Sequence, residues 1–363
     1  MAVKKTGISH DLIIHPGETI ADVLEEREIS QAELASRTGV SAAYMSNVIA
    51  GKKDISAKLA MGLEYALGVP KTFWLNLQSN YEAELMEANE ELTISDEERD
   101  VRKDVGEVVS YLRKAGLMPL REGMDASILS LRKALQISDI SNLREMIPAG
   151  QFRLANASIN RNVVGAWVRL CQIAADENEV SSQFDVERVD QLISELKQFM
   201  LQGSENFQED LKQIMGNYGI DFSIVKNFRG APVQGYICQK RDMTYQMVLT
   251  IRGSRADVFW FTLFHELGHI VNGDVVKATR FIDFDDNGDK EKDANLFAIN
   301  KLLDSDSYSK FVDAGDFSIG AIIEHADSQN VMPYIVIGRL QKEKKIEFSW
   351  YSDYITRYKW IGS

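Results

Sequence analysis

The run Phe259-Trp260-Phe261-Thr262-Leu263-Phe264-His265-Glu266-Leu267-Gly268-His269 is apolar on nearly every side, and the pattern extends from Asp257 to Val271. A helix without a polar face belongs inside a core, so this stretch predicts a buried helix. Set into it are two histidines four residues apart, the H-E-x-x-H pattern. At that spacing both imidazoles project from one helical face and reach one tetrahedral zinc, and Glu266 stands beside them, placed to take a proton from metal-bound water. The alternative is that these polar groups merely satisfy one another. It would bury two imidazoles and a carboxylate in an apolar helix with no ion to justify them.

A catalytic zinc takes three protein ligands plus water. Between His269 and Asn295 lie Asp274, Asp283, Asp285, Asp286, Asp289, Glu291 and Asp293, and Glu291 is the expected third ligand. It opens Glu291-Lys292-Asp293-Ala294-Asn295-Leu296-Phe297-Ala298, which reads as a helix with Glu291 and Asn295 on one face and Asp293 pointing away. From that face Asn295 either orients a ligand from behind or is an ordinary surface asparagine, and spacing does not choose between the two. Asp283-Phe284-Asp285-Asp286-Asn287-Gly288 matches the opening of a calcium-binding loop. Its twelfth position is Ala294 where a bidentate glutamate is required, so it reads as an acidic loop leading into the Glu291 helix. His325 reads as a satisfied or exposed histidine.

Upstream of the buried helix, Asp221 to Val225, Val233 to Cys238 and Tyr245 to Ile251 are short and rich in β-branched and aromatic residues, which predicts a small sheet. Residues 105–216 are helical in pattern and carry no motif attached to chemistry. Residues 81–104 hold 10 acidic and 3 basic residues and mark a domain boundary, read as a solvated helix face or linker. From Glu18 to Leu67 short helices alternate with clear stops. Ser30-Gln31-Ala32-Glu33 is a capping box, Thr38-Gly39 a stop, Ser41 the cap of a third helix closed by Gly51-Lys52-Lys53, and Ser56 opens a fourth. Thr72 caps a fifth helix through Trp74, Leu75 and Leu77.

Length and charge bound what these parts do. A chain of 363 residues exceeds one ordinary core, so the expected fold is multidomain and mainly α. The chain carries 41 basic against 54 acidic residues, a net charge of -13. Residues 1–80 hold 8 basic and 9 acidic, leaving 33 and 45 for the remainder. A general polyanion binder is thereby excluded, and any nucleic-acid contact must be local to the near-neutral N-terminal part. Cys171 and Cys238 are far apart with no C-x-x-C partner, which indicates neither a disulfide framework nor a thiolate metal site. No apolar run approaches a membrane span and no signal-peptide core opens the chain, so a cytoplasmic location without membrane contact is expected.

His15-Pro16-Gly17-Glu18, Ser30 to Ala35 and Phe73-Trp74-Leu75-Asn76-Leu77-Gln78 together make residues 1–92 resemble the HigA-like antitoxins, helix-turn-helix proteins of the Xre repressor class. The Phe259–His269 run with Glu291 to Phe297 makes residues 217–363 resemble the ImmA/IrrE metallopeptidases. The first resemblance implies a five-helix DNA-binding domain. The second implies an α+β zincin-like domain, zinc held by His265, His269 and Glu291, Glu266 as the base, and repressors of the helix-turn-helix class as substrates. Residues 93–216 form a helical middle region that resembles no named family. Joining both modules in one chain opens self-cleavage or a sensory role, and a non-enzymatic antitoxin whose C-terminal domain binds a toxin is the alternative.

In the helix-turn-helix reading the third helix enters the major groove of a double-stranded operator, with Tyr44 and Asn47 facing bases and Gln31 contributing from the helix before it. Asparagine can pair with adenine, while Ser41, Lys52 and Lys53 hold phosphates. The alternative is a bundle that binds only protein. A small near-neutral module makes few phosphate contacts, so a homodimer is expected on DNA, with a cognate toxin or a repressor as the protein partner.

Overall fold

The computed structural model describes residues 13–147, 159–176, 180, 182–233, 235–240, 242–251, 254–275, 280–282 and 289–359. The chain divides into two compact units, one running to Arg99 with Arg121–Leu129 added, the other holding Asp100–Leu120 and everything from Ser130 onward. No helix among the described residues is long and apolar enough to cross a membrane.

The first unit is built on five helices, α1 (Pro16–Glu26), α2 (Gln31–Thr38), α3 (Ala42–Ile49), α4 (Ala57–Leu67) and α5 (Lys71–Asn89). The serines that the sequence marks as starts act as caps: Ser30 Oγ accepts from the Glu33 N–H, Ser41 Oγ from Tyr44 and Ser56 Oγ from Leu59, each at 3.2 Å. The capping box at α2 is only half made, because the Glu33 carboxylate pairs with Arg37 one turn on instead of reaching back to Ser30. One core joins Ile20, Leu24, Leu34, Met45, Val48, Leu59, Leu63 and Trp74. α5 runs well past Leu77, since nothing from Asn76 to Asn89 is a helix breaker.

One buried polar residue holds the α3–α4 connection. Gln78 is 5% exposed, accepts from the Ile55 N–H at 2.9 Å and donates to Asp54 at 3.2 Å and Glu82 at 2.9 Å. Its oxygen thus satisfies a backbone donor that burial cuts off from water.

The chain continues through α6 (Asp96–Asp104), α7 (Gly106–Lys114), α8 (Met124–Leu135), α9 (Arg161–Asp176), α10 (Val189–Gln202) and α11 (Phe207–Gly216). The sheet follows as β1 (Ile220–Ile224), β2 (Gly235–Gln239) and β3 (Tyr245–Leu249), then α12 (Ala256–Val271), β4 (Arg280–Ile282) and α13 (Asp289–Leu302). α14 (Ser305–Ala314), α15 (Ile319–Ser328) and α16 (Pro333–Lys342) complete the helices. Strand order is β1-β3-β2-β4, with β1 parallel to β3 and β2 antiparallel to both β3 and β4. Three strands stand where β-rich segments predict them; the three-residue β4 is too short to leave a period-2 signal.

α12 lies in the middle of the second unit's core. Trp260, Leu263, Phe264 and Leu267 on α12 join Phe222, Ile237 and Met247 of the sheet, and Leu192, Leu196, Leu211 and Met215 of α10 and α11 belong to the same core. Those helices of the middle region therefore pack with the sheet in one unit. The helix without a polar face is central because most of its surface meets other elements, with Val258 the one exposed residue along it.

Gln78→Leu keeps the volume but leaves the Ile55 N–H buried without a partner. It is expected to destabilise the first unit by about 1–3 kcal/mol, read as an earlier first transition in urea denaturation.

Candidate metal centre and nucleic-acid interface

α12 carries His265, Glu266 and His269 into the core at 5%, 0% and 0% exposure, and α13 brings Glu291 to them at 8%. His265 Nε2 lies 3.1 Å from Glu291 Oε2, His269 Nε2 lies 3.4 Å from Glu291 Oε1, and the two Nε2 atoms are 3.1 Å apart. The helices can approach this closely because Gly268 faces Ala294: a Cβ on Gly268 would come within 3.1 Å of the Ala294 Cα. Small residues at that crossing bring the first turn of α13, and so Glu291, against the histidines.

The far nitrogen of each ring is committed. His265 Nδ1–H donates to Asn295 Oδ1 at 3.1 Å, and His269 Nδ1–H donates to Asp274 Oδ2 at 2.9 Å. The acceptors fix the tautomers, so in the neutral rings both Nε2 lone pairs face each other and the Glu291 carboxylate. Three inward-facing donors at such separations repel unless a cation joins them. Donors 2.0–2.1 Å from one tetrahedral ion lie about 3.3 Å apart, close to the 3.1 Å between the two Nε2 atoms, and two imidazoles with one carboxylate are a zinc donor set. The residues therefore fit the ion that the motif implies.

The electrostatics agree. Burial alone would raise the Glu291 pKa, but hydrogen bonds and charge from His265 and His269 outweigh it and hold the carboxyl at about 2. Burial alone would lower the His269 pKa, and the Glu291 and Asp274 carboxylates outweigh it and raise it. Glu291 is thus an anionic donor at any pH where the histidines are neutral.

Glu266 sits under β2. A Cβ on Gly235 would collide with the Glu266 carboxylate, so glycine lets the strand pass over it while any side chain there would have to push Glu266 aside. No spacing in the sequence points to Asp274, one of seven candidate carboxylates, or to Gly235. The loop Asp283–Gly288, read as acidic and not calcium-binding, lies outside the described residues. His325 is buried and stacks on Phe311 with centroids 4.4 Å apart, remote from this donor set in its role.

In the first unit the outward face of α3 differs in detail from the expected one. Gln31, Ser41, Lys52 and Lys53 are exposed, whereas Tyr44 and Asn47 are half-buried, and Lys53 Nζ stands 5.1 Å over the Tyr44 ring. Tyr44 also packs on the core. The exposed positions of α3 are Ala42, Ala43 and Ser46. Residues 42, 43 and 46 form the face opposite Met45 and Val48, a signal available from helical spacing but masked by their small size.

A family model described as Helix-turn-helix matches residues 20–74. Residues 20–74 are a helix-turn-helix domain. Virulence-associated protein A' of Dichelobacter nodosus is 39% identical over 69 residues, 19% of this chain and 60% of that protein, so the chain spans less than two thirds of this relative. The HTH-type transcriptional regulator YddM of Escherichia coli strain K12, named as uncharacterized, is 29% identical over 80 residues, 22% of this chain and 83% of that protein. Among solved structures, the Pseudomonas aeruginosa antitoxin HigA with the higBA promoter is 36% identical, covers 23% of this chain and 96% of its own, and has a TM-score of 0.21.

Gly235→Ala is expected to destabilise the second unit by about 1–3 kcal/mol through overpacking. Shortening Glu266 to Ala removes the clashing atoms, so in a double-mutant cycle followed by urea denaturation the Gly235 effect should largely vanish in the Glu266→Ala background. Additive effects would show that the two residues do not touch.

Proposed function

We propose that the chain is a DNA-binding transcriptional regulator of antitoxin type carrying a zinc-dependent endopeptidase domain of the ImmA/IrrE kind. The observation that carries the peptidase reading is the convergence of His265 Nε2, His269 Nε2 and the two oxygens of the Glu291 carboxylate at 3.1–3.4 Å, with Glu266 next in sequence to His265. His265, His269 and Glu291 hold the ion; Asn295 and Asp274 keep the rings turned inward. Zinc, when bound, supplies Lewis acidity that polarises water and a peptide carbonyl. Glu266 accepts the proton of the attacking water and passes it to the departing amine, and its burial keeps bulk water away from that exchange. The substrate is a repressor of the helix-turn-helix class or the chain itself.

The regulatory half of the reading is supported by the helix-turn-helix match over residues 20–74 and by the regulator named among its relatives. α3 enters the major groove of a double-stranded operator and presents Ala42, Ala43 and Ser46 first, with Asn47 at its flank, while Gln31, Ser41, Lys52 and Lys53 engage the backbone. The protein binds as a homodimer, and a toxin is its further partner. If the chain is instead a non-enzymatic antitoxin, the same donors hold a structural or sensory ion.

Elemental mass spectrometry separates these. About one zinc per chain is expected in the wild type, with marked loss in Glu291→Ala and retention in Glu266→Gln. Glu266→Gln should keep the ion and lose cleavage of the repressor substrate; persistent cleavage would remove Glu266 from the role of base. No zinc under non-chelating conditions would leave the regulator alone as the function.

DNA binding is checked on the promoter of the chain's own gene. Replacing Lys52 and Lys53 by Ala should lower the slope of log affinity against log salt by about 1 per lysine without changing sequence preference.

A further inference from the structure

The two histidines of the cluster are not equivalent donors. Behind His265 stands a neutral amide, Asn295. Behind His269 stands a carboxylate, Asp274, whose side chain is 10% exposed. Asp274 is also fixed from its own backbone: its N–H donates to the His269 carbonyl at 3.0 Å, so the turn after α12 folds back and aims the carboxylate at the ring of the same histidine. The second carboxylate oxygen faces Lys290 Nζ at 3.5 Å, and that ammonium also donates to the Asp274 carbonyl at 3.4 Å. Lys290 immediately precedes Glu291 at the start of α13.

A carboxylate that accepts from Nδ1–H pushes electron density toward Nε2 and makes that nitrogen a stronger donor, and it holds the ring's tautomer and orientation; an amide does the second but little of the first. Resting on the metal reading above, we infer that Asp274 is a positioning residue that sets how tightly the cluster of His265, His269 and Glu291 holds its ion, acting through the His269 imidazole. Lys290 is a secondary contact. It lies on the solvent side of the carboxylate, 61% exposed, and registers the first turn of α13 without touching a donor atom.

The test measures zinc affinity of the full chain by competition with a chromophoric chelator, with circular dichroism as the check on folding. Asp274→Asn keeps the shape and a hydrogen-bond acceptor but removes the charge, and affinity should fall about 10–100-fold. Adding Asn295→Asp in the same chain moves the carboxylate from His269 to His265 and should recover most of the loss. Lys290→Gln leaves the carboxylate in place and should stay within about threefold of the wild type. The cobalt-substituted protein should keep a tetrahedral visible spectrum in Asp274→Asn with shifted bands, a signature that a purely structural role would not produce.

Wild-type affinity in Asp274→Asn overturns the inference while leaving the metal reading intact. So does a loss that Asn295→Asp fails to recover, since Asp274 would then serve only to hold the turn. If Asp274→Asn does not fold, a Lys290→Gln loss of tenfold or more would assign the effect to the ion pair and overturn it equally. A wild type that holds no zinc overturns both readings together.

Discussion

The structure of the second unit turns on one constraint: a largely buried apolar helix must place two imidazoles and a carboxylate inside the protein, almost wholly withdrawn from solvent. α12 is sealed by Phe259, Trp260, Leu263, Phe264 and Leu267, so each polar atom it carries must find its partner inside the protein. The outer nitrogens do so through Asn295 and Asp274. The inner nitrogens face each other and Glu291, an arrangement that fits the zinc donor set proposed above. The close crossing at Gly268 and Ala294 and the pass of β2 over Glu266 at Gly235 are the two packing solutions that this arrangement requires.

Such a cluster also ties metal binding to folding. The donors come from α12 and α13, and the residues that orient them come from α13 and from the turn after α12, so no single segment holds the site. An ion bound there adds its affinity to the stability of the folded chain, because the unfolded chain has no preformed site. The Glu291 carboxylate and His269 also favour each other's charged forms, which is why the pKa of Glu291 sits low and that of His269 high.

What the sequence made legible was periodic. α12 was readable from its unbroken apolar pattern, His265 and His269 from a spacing of four, and the shared face of Glu291 and Asn295 from the same spacing in α13. Ser30, Ser41 and Ser56 were readable as caps because capping is local. The rest was long-range. Asp274 reaches His269 through a turn whose course no spacing dictates, Gly235 meets Glu266 only once the sheet is laid over the helix, and Glu33 chose Arg37 over its own cap. Tyr44 was assigned outward by helical position, yet it lies against the core with Lys53 above its ring, because an aromatic at a helix flank buries its face when apolar neighbours are at hand.

The charge distribution decides how the two halves can share one chain. Residues 1–80 carry 8 basic and 9 acidic residues, a balance of -1, and the remainder carries 33 and 45, a balance of -12, which together give the net -13. A phosphate backbone is repelled by the larger part and indifferent to the mean charge of the smaller, so affinity for DNA depends on local presentation of positive groups such as the exposed Lys52 and Lys53 beside α3. Two lysines make a weak anchor, and the small residues Ala42, Ala43 and Ser46 on the outer face of α3 leave base recognition to close shape and methyl contacts, with few long polar arms. The homodimer proposed above answers both facts, because doubling a weak, well-fitted contact multiplies affinity without adding the positive charge that would bind DNA indiscriminately.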